Sequence, residues 1–166
     1  MKTLAVLTLI AACAIALVLL SPEVAPHGAL LASVVYSSTL KDKRMQLVID
    51  LVCGKTAAAS TGSATAGSLV IGTSALSGAT GVLATIALDT TGFTLSSGVI
   101  TMHGLPLSAT ASASGTAAKA EIRDNSGTVI VSGLTVGTSG TDIIIDSVSI
   151  VSGETVSVTA ATITHG

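Results

Sequence analysis

Three histidines are the side chains in this sequence best suited to acid–base catalysis or zinc binding: His27, His103 and His165. None of them lies in an H-x-x-x-H or H-E-x-x-H pair, the spacing that aims two ligands at one metal ion. We expect His103, which follows an apolar strand, to face solvent at the strand end, and His165 to fray with the last residues. The histidines therefore predict neither a metal site nor a general base.

Two carboxylates and two thiols are the other candidates. Asp142 and Asp146 bracket three isoleucines, and their i, i+4 spacing places both on one face of a strand, where they could hold calcium or exchange protons. The further oxygen ligands of a calcium loop are missing around them. This favours the interpretation that the two aspartates are solubilising charges at the strand ends. Cys13 and Cys53 lack C-x-x-C spacing, so they predict neither a metal site nor a disulfide framework but two small buried side chains.

Nucleophile and phosphate motifs are also missing. No G-x-S-x-G turn joins a strand to a helix, and the Gly-rich stretch 62–67 lacks the Gly-Lys-Ser/Thr ending of a phosphate loop. A net charge of −2, with one Tyr, one Phe and no Trp, excludes the basic, aromatic surface of a nucleic-acid binder. The sequence therefore predicts no enzyme, no catalytic, cofactor-binding or metal-binding residue, no cofactor and no small-molecule substrate.

The N-terminal segment, residues 1–35, contains eighteen positions without a charge, Thr3 to Leu20. This length is at the lower limit for a membrane-spanning helix and long for the apolar part of a signal peptide, so a signal anchor or a signal peptide are both possible. Two alternatives remain open. Ile10–Cys13 is similar to a lipobox that would lipidate Cys13, and translation could instead start near Val34 or Val35.

Residues 36–54 predict one amphipathic helix, Thr39–Cys53, with Thr39 as its N-cap and Gly54 as its left-handed C-terminal residue. Its expected core stripe recurs at helical spacing and consists of Leu40, Leu47, Val48 and Leu51. Lys41 to Arg44 are expected to form a solvated charged face. The Ser/Thr/Ala/Gly stretch 55–67 that follows is expected to be a loop.

Residues 68–166 predict a β-domain. The expected strands are Ser68–Ile71, Val82–Leu88, Val99–His103, Ala117–Arg123, Thr128–Ser132, Asp142–Ile150 and Thr155–Thr164. Asp124-Asn125-Ser126-Gly127 predicts a tight hairpin between two of them. The predicted fold is therefore mainly β, an antiparallel β-sandwich of Ig-like or jelly-roll-like type with about seven strands and one N-terminal amphipathic helix.

Charge is scarce in the first half of this β-domain. Asp89 is the only charged residue between Lys55 and Lys119. Because strand edges are normally protected by lysine or other charged residues, edges this bare suggest that neighbouring molecules cover them in an assembly.

The chain from about Ser38 to Gly166 resembles a family of small β-rich virion-associated proteins encoded by tailed bacteriophages and prophages. The resemblance rests on the order and spacing of segments that are individually of low complexity: the helix Ser38–Asp50, Leu69–Gly72, Gly81–Leu88 (similar to a G-x-L-L-A-T-L strand), Ala113–Ala117, Ile122–Val129, Val136–Ile143 and Ile150–Val158.

This resemblance implies a structural, non-enzymatic component of the head, neck or tail, located in the virion after assembly in the host cytoplasm. Its partners would be other virion proteins and further copies of itself, with cyclic symmetry expected. The apolar N-terminus is not a feature of that family. It keeps open the alternative of a membrane-anchored or secreted bacterial surface domain of adhesin or pilin-like character, with Thr3–Leu20 in the membrane.

Overall fold

The computed structural model describes residues 35–56 and 65–165, so the predictions for Thr3–Leu20, Cys13, His27 and Val34 lie outside the described residues. Helix α1 runs from Ser38 to Val52. It begins two residues earlier than a Thr39 cap requires, because Ser37 has the extended backbone of an N-cap and its Oγ accepts a hydrogen bond from the Leu40 N–H at 3.3 Å.

The C-terminal end of α1 follows the prediction. Gly54 adopts a left-handed conformation with φ of 71°, directly after the C-cap Cys53. The Gly54 N–H donates to the Leu51 carbonyl at 3.1 Å, and the Lys55 N–H donates to the Asp50 carbonyl at 2.8 Å. These two bonds form a Schellman motif, which satisfies carbonyl groups that the helix itself leaves unpaired.

The core-facing side of α1 differs from the predicted stripe. Met45 and Val52 are buried, and Val48 and Ile49 pack against the core beside them. Leu40 and Leu47, which were expected in the core, are 43% and 38% exposed. Successive residues turn by about 100°, so Leu40, Leu47 and Leu51 form one apolar stripe, and Met45 and Val52 belong to another about 130° around the helix. The spacing rule cannot choose between the two stripes.

Eleven strands follow in the described residues. They are β1 Ser68–Ser77, β2 Thr80–Ala87, β3 Phe93–Ser96, β4 Val99–Met102, β5 Leu107–Thr110, β6 Gly115–Thr116, β7 Lys119–Arg123, β8 Val129–Gly137, β9 Ile143–Ile145, β10 Ser149–Ile150 and β11 Thr155–Thr164. The fold class is thus confirmed as mainly β with one helix. The additional strands, β3, β5 and β6, are two to four residues long, too short for a periodic pattern. The predicted strand Asp142–Ile150 is divided into β9 and β10.

The strands form one large sheet in the order β2-β1-β7-β8-β9-β11-β4-β3, with β5 also paired to β11, and β6 and β10 form a separate pair. All pairs are antiparallel except β8–β9, which is parallel. The sheet curls so that β2 approaches β5, and the Ser112 N–H donates to the Leu83 carbonyl at 2.8 Å. One core is therefore enclosed between the curled sheet and α1.

This core is aliphatic. Leucine, isoleucine, valine and alanine supply nearly all of it, including Leu69, Ile71, Ile86, Ile100, Ile122, Ile143, Ile145 and Val158. Branched aliphatic side chains pack well on a pleated surface, which is how the fold closes without a large aromatic residue at its centre.

The predicted hairpin connects β7 to β8. The Asp124 carboxylate accepts hydrogen bonds from the N–H groups of Ser126 and Thr128 at 2.9 and 2.8 Å, and Gly127 has φ of 88°. The alternation on β7 is less regular than its sequence indicates. Glu121 is 8% exposed and bonds Arg123 at 2.8 Å, because β7 lies between β1 and β8 rather than at an edge.

Candidate assembly interface

The two aspartates that could have formed a pair are bonded to different strands. Asp142 Oδ2 accepts from the Thr135 N–H at 2.8 Å and from the Thr135 hydroxyl at 2.7 Å. Asp146 Oδ1 accepts from the N–H groups of Ser147 and Ser157. The Thr135 bonds hold the pKa of Asp142 below its ordinary value. Each carboxylate therefore ties a turn to a neighbouring strand.

Cys53 is buried at the end of α1, and its Sγ lies 3.5 Å from the Thr90 carbonyl oxygen. Burial raises the pKa of this thiol, so the reactive thiolate is disfavoured at neutral pH. The prediction of a small buried side chain therefore fits Cys53, while Cys13 lies outside the described residues.

Metal-ligating side chains do not cluster in the part of the chain that the structure describes. Residues 35–56 and 65–165 contain no group of three His, Cys, Asp or Glu side chains placed to hold a metal ion. Two depressions of about 150 and 340 Å³ open on this surface, one beside Asp146 and Glu154 and one beside Asp124 and Thr85. Among the same residues, no helix combines the length and apolar character needed to cross a membrane.

His103 lies where the sequence placed it, exposed at the end of β4. Its Nε2 is 2.6 Å from the Thr94 hydroxyl on the neighbouring strand β3. This contact joins two exposed side chains on the outer face of the β3–β4 hairpin.

His165 does not behave as a frayed terminal residue. Its backbone N–H donates to the Gly98 carbonyl at 2.9 Å, and its Nε2 lies 3.2 Å from Nη1 of Arg44. The Arg44 guanidinium lies 4.4 Å from the centre of the Tyr36 ring, which meets the His165 ring edge-on at 6.2 Å. Since Arg44 can only donate, Nε2 accepts, and the end of β11 is fastened to α1.

The β3–β4 turn is fastened to the same helix. The Gly98 N–H donates to Asp42 Oδ1 at 2.6 Å, and Gly98 has φ of 78°. A Cβ built on Gly98 would lie 2.9 Å from the Cβ of Lys41. The cluster from Lys41 to Arg44, which was expected to be a solvated charged face, therefore positions the edge hairpin.

Two adjoining elements present exposed leucines and an uncharged strand outward, and the exposed Arg44 lies between Leu40 and Leu47 on the helix. On α1, Leu40 and Leu47 are exposed, and Leu51 is partly exposed on the same side of the helix. Strand β3, which contacts α1, ends the sheet and carries only Phe93, Thr94, Leu95 and Ser96. We call Leu40, Leu47, Leu51 and β3 the candidate interface.

Sequence reasoning found part of this interface. The scarcity of charge between Lys55 and Lys119 indicated bare edges, but β3 itself was not predicted. The leucines were identified as apolar yet assigned to the core. The spacing of Leu40, Leu47 and Leu51 was the signal that could have identified this surface. The helix has a second apolar stripe, Met45 to Val52, and only one of the two stripes can face the core.

Comparison with known proteins adds no relative: no family model, no curated protein and no solved structure matches this chain.

Proposed function

We propose that this chain is a non-enzymatic structural protein of a phage or prophage virion, a head, neck or tail component that acts through self-association and contacts with other virion proteins. The observation that carries the proposal is the candidate interface, in which exposed leucines of α1 adjoin an uncharged edge strand. Exposed leucines and an unprotected strand edge are costly on a solitary domain, and they become favourable when another subunit covers them.

The arrangement of the other polar groups supports a structural role. The carboxylates of Asp42, Asp142 and Asp146 accept hydrogen bonds from backbone N–H groups, and these bonds hold turns in place. The aliphatic core and the hairpin bonded to α1 form a compact domain, and copies of such a domain can pack against one another in an assembly. The ordered resemblance of Ser38–Gly166 to small virion proteins agrees with such a role.

The experiment is intact-protein mass spectrometry of gradient-purified particles from an induced host culture. Tryptic mapping serves poorly, because no Lys or Arg lies between Lys55 and Lys119. We expect the intact chain to co-sediment with particles in multiple copies, and its mass reports directly whether residues 1–35 are present. Recovery only outside the particles, in a culture that releases them, contradicts the proposal.

The second candidate is a membrane-anchored or secreted bacterial surface domain, favoured by the uncharged stretch Thr3–Leu20. The same culture separates the two candidates. Retention in the membrane fraction after alkaline and high-salt washing, with Thr3–Leu20 in the measured mass or a lipid on Cys13, supports the surface domain.

A further inference from the structure

The outer edge of β3 carries unpaired backbone groups in a defined pattern. The Gly92 carbonyl accepts from the His103 N–H at 2.7 Å, and the same register continues as Phe93 opposite Met102 and Leu95 opposite Ile100. Hydrogen-bonded and non-hydrogen-bonded pairs alternate in an antiparallel ladder. Thr94 and Ser96 therefore bond β4, while the N–H and C=O groups of Phe93 and Leu95 point away from the sheet.

At the opposite end of the sheet, one backbone group of β2 has a partner outside the strand ladder. The outer edge of β2 is met by Ser112, whose N–H and Oγ both donate to the Leu83 carbonyl, at 2.8 and 3.2 Å. Within residues 35–56 and 65–165, β3 has a hydrogen-bonded neighbour on one side only. In the described part of the sheet, the outer edge of β3 therefore has no strand partner.

Strand β3 itself lacks the sequence features that normally prevent pairing. It contains no charged residue, no proline and no bulge, and the next charged residues along the chain are Asp89 and Lys119. Natural edge strands usually carry at least one such protection.

We propose that the outer edge of β3 pairs antiparallel with the outer edge of β3 in a second copy of this chain, with Thr94 on the two-fold axis. In this register Phe93 of each copy faces Leu95 of the other, and each pair exchanges two N–H···O=C bonds. The inference deepens the self-association in the proposed function and rests on it.

The register follows from the length of the strand. Only Phe93 and Leu95 have outward backbone groups, so a two-fold pair must centre on residue 93, 94 or 95. A centre on residue 93 would pair Leu95 with residue 91, outside the strand. A centre on residue 95 would pair Phe93 with Ser97, which has a left-handed backbone with φ of 52°. A centre on Thr94 uses every outward group, and it is the same patch on both copies, as a two-fold interface requires.

Disulfide trapping in the full chain tests the register, and it detects even a short-lived pair. Thr94 of the two copies would form a non-hydrogen-bonded pair with Cα atoms about 4.5 Å apart, which a disulfide can bridge. The test variant is Thr94→Cys and the matched control is Ser96→Cys, both with Cys13→Ser. The Ser96 positions would lie on opposite sides of the axis, about 13 Å apart along the strands.

We expect mild oxidation to link Thr94→Cys into a dimer at least about tenfold faster than Ser96→Cys, whose two thiols lie beyond disulfide reach. Equal rates for the two variants, or no dimer from Thr94→Cys, overturn the inference. If the protein sediments with particles but Thr94→Cys does not link, the pairing of β3 is wrong and the virion proposal stands. If Thr94→Cys links but the protein is absent from particles, the virion proposal fails instead.

A charge exchange supplies an independent readout. Thr94→Lys and Thr94→Glu each place like charges directly opposite one another, which opposes pairing, whereas a mixture places opposite charges there. Light scattering should show that Thr94→Lys alone and Thr94→Glu alone are shifted toward the smaller species, and that their equimolar mixture associates again. The control Thr94→Val, which also removes the contact with His103, should stay paired. Variants that associate like the unmodified chain contradict the proposal.

Discussion

The carboxylate of Asp42 on helix α1 and the backbone N–H of Gly98 in the β3–β4 turn are joined by a hydrogen bond of 2.6 Å. The residues are far apart in the sequence, and their contact joins the edge hairpin to the helix. The turn needs a glycine at this position because Gly98 has φ of 78° and faces the Cβ of Lys41.

Replacement of Asp42 by alanine should leave the Gly98 N–H without its acceptor. We expect a loss of about 1.5–3 kcal/mol in the free energy of unfolding, the usual range for a hydrogen bond to a charged group. Urea unfolding of the full chain measures it. Lys43→Ala, at a neighbouring exposed position of the helix, is the control and should change stability by less than about 0.5 kcal/mol. Equal effects of the two variants would contradict the role of Asp42.

Gly98→Ala should destabilise the protein more than Gly104→Ala. Both glycines have positive φ, so each alanine has a backbone cost of about 1–2 kcal/mol. A Cβ at Gly104 meets nothing within 4 Å, whereas a Cβ at Gly98 lies 2.9 Å from the Lys41 Cβ. The difference between the two midpoints of urea unfolding isolates the contact with the helix. A smaller effect at Gly98 would show that the hairpin is not packed against Lys41.

The two apolar stripes of α1 should respond differently to truncation. Met45 is 5% exposed, so Met45→Ala should cost about 2–5 kcal/mol. Leu47 is 38% exposed, so Leu47→Ala should cost well under about 1 kcal/mol. If the candidate interface operates in assembly, Leu47→Ser should reduce the amount of protein in purified particles while the fold persists. Normal incorporation of Leu47→Ser would remove the leucines from that interface.

Acid should weaken the fold partly through Asp142. The N–H and hydroxyl of Thr135 lower the pKa of this carboxyl in the folded chain, so its contribution to stability is complete above the unfolded value, about 4. The contribution is lost as the pH falls through the lower, folded value, because protonation then costs the hydrogen bonds. Urea unfolding between pH 6 and 3 should show a smaller acid-induced loss for Asp142→Asn than for the unmodified chain. The same slope in both would assign the acid sensitivity to other groups.

The sequence predicted the main architecture from its strongest local signals. The Asp124–Gly127 turn, the Gly54 cap and the strands β2, β7 and β11 all combine a regular pattern with a recognisable boundary. Strand β1 was predicted only as far as Ile71 and continues to Ser77. Tertiary pairing decided the rest. Strands β3 and β5 have four residues each, and nothing in four residues distinguishes a strand from a loop. The contact of Arg44 with His165 joins residues near opposite ends of the domain's sequence, so no local pattern indicates it.

The inward stripe of α1 was mispredicted for a related reason. Leu40, Leu47 and Leu51 satisfy the helical period as well as Met45 and Val52 do, and of the predicted stripe Val48 does pack against the core. Only the surface that the helix meets selects one of the two sets, and no local pattern encodes that surface.

Strand β11 has a consequence for the order of events during synthesis. It bonds β9 along one edge and both β5 and β4 along the other, so it joins the two halves of the sheet. Ribosomes make it after all three partners, and until it emerges the β3–β4 hairpin has no strand to hold it. Long-range pairing of this kind delays folding until the partner is available. A nascent chain therefore completes its sheet only once Thr164 has left the ribosome.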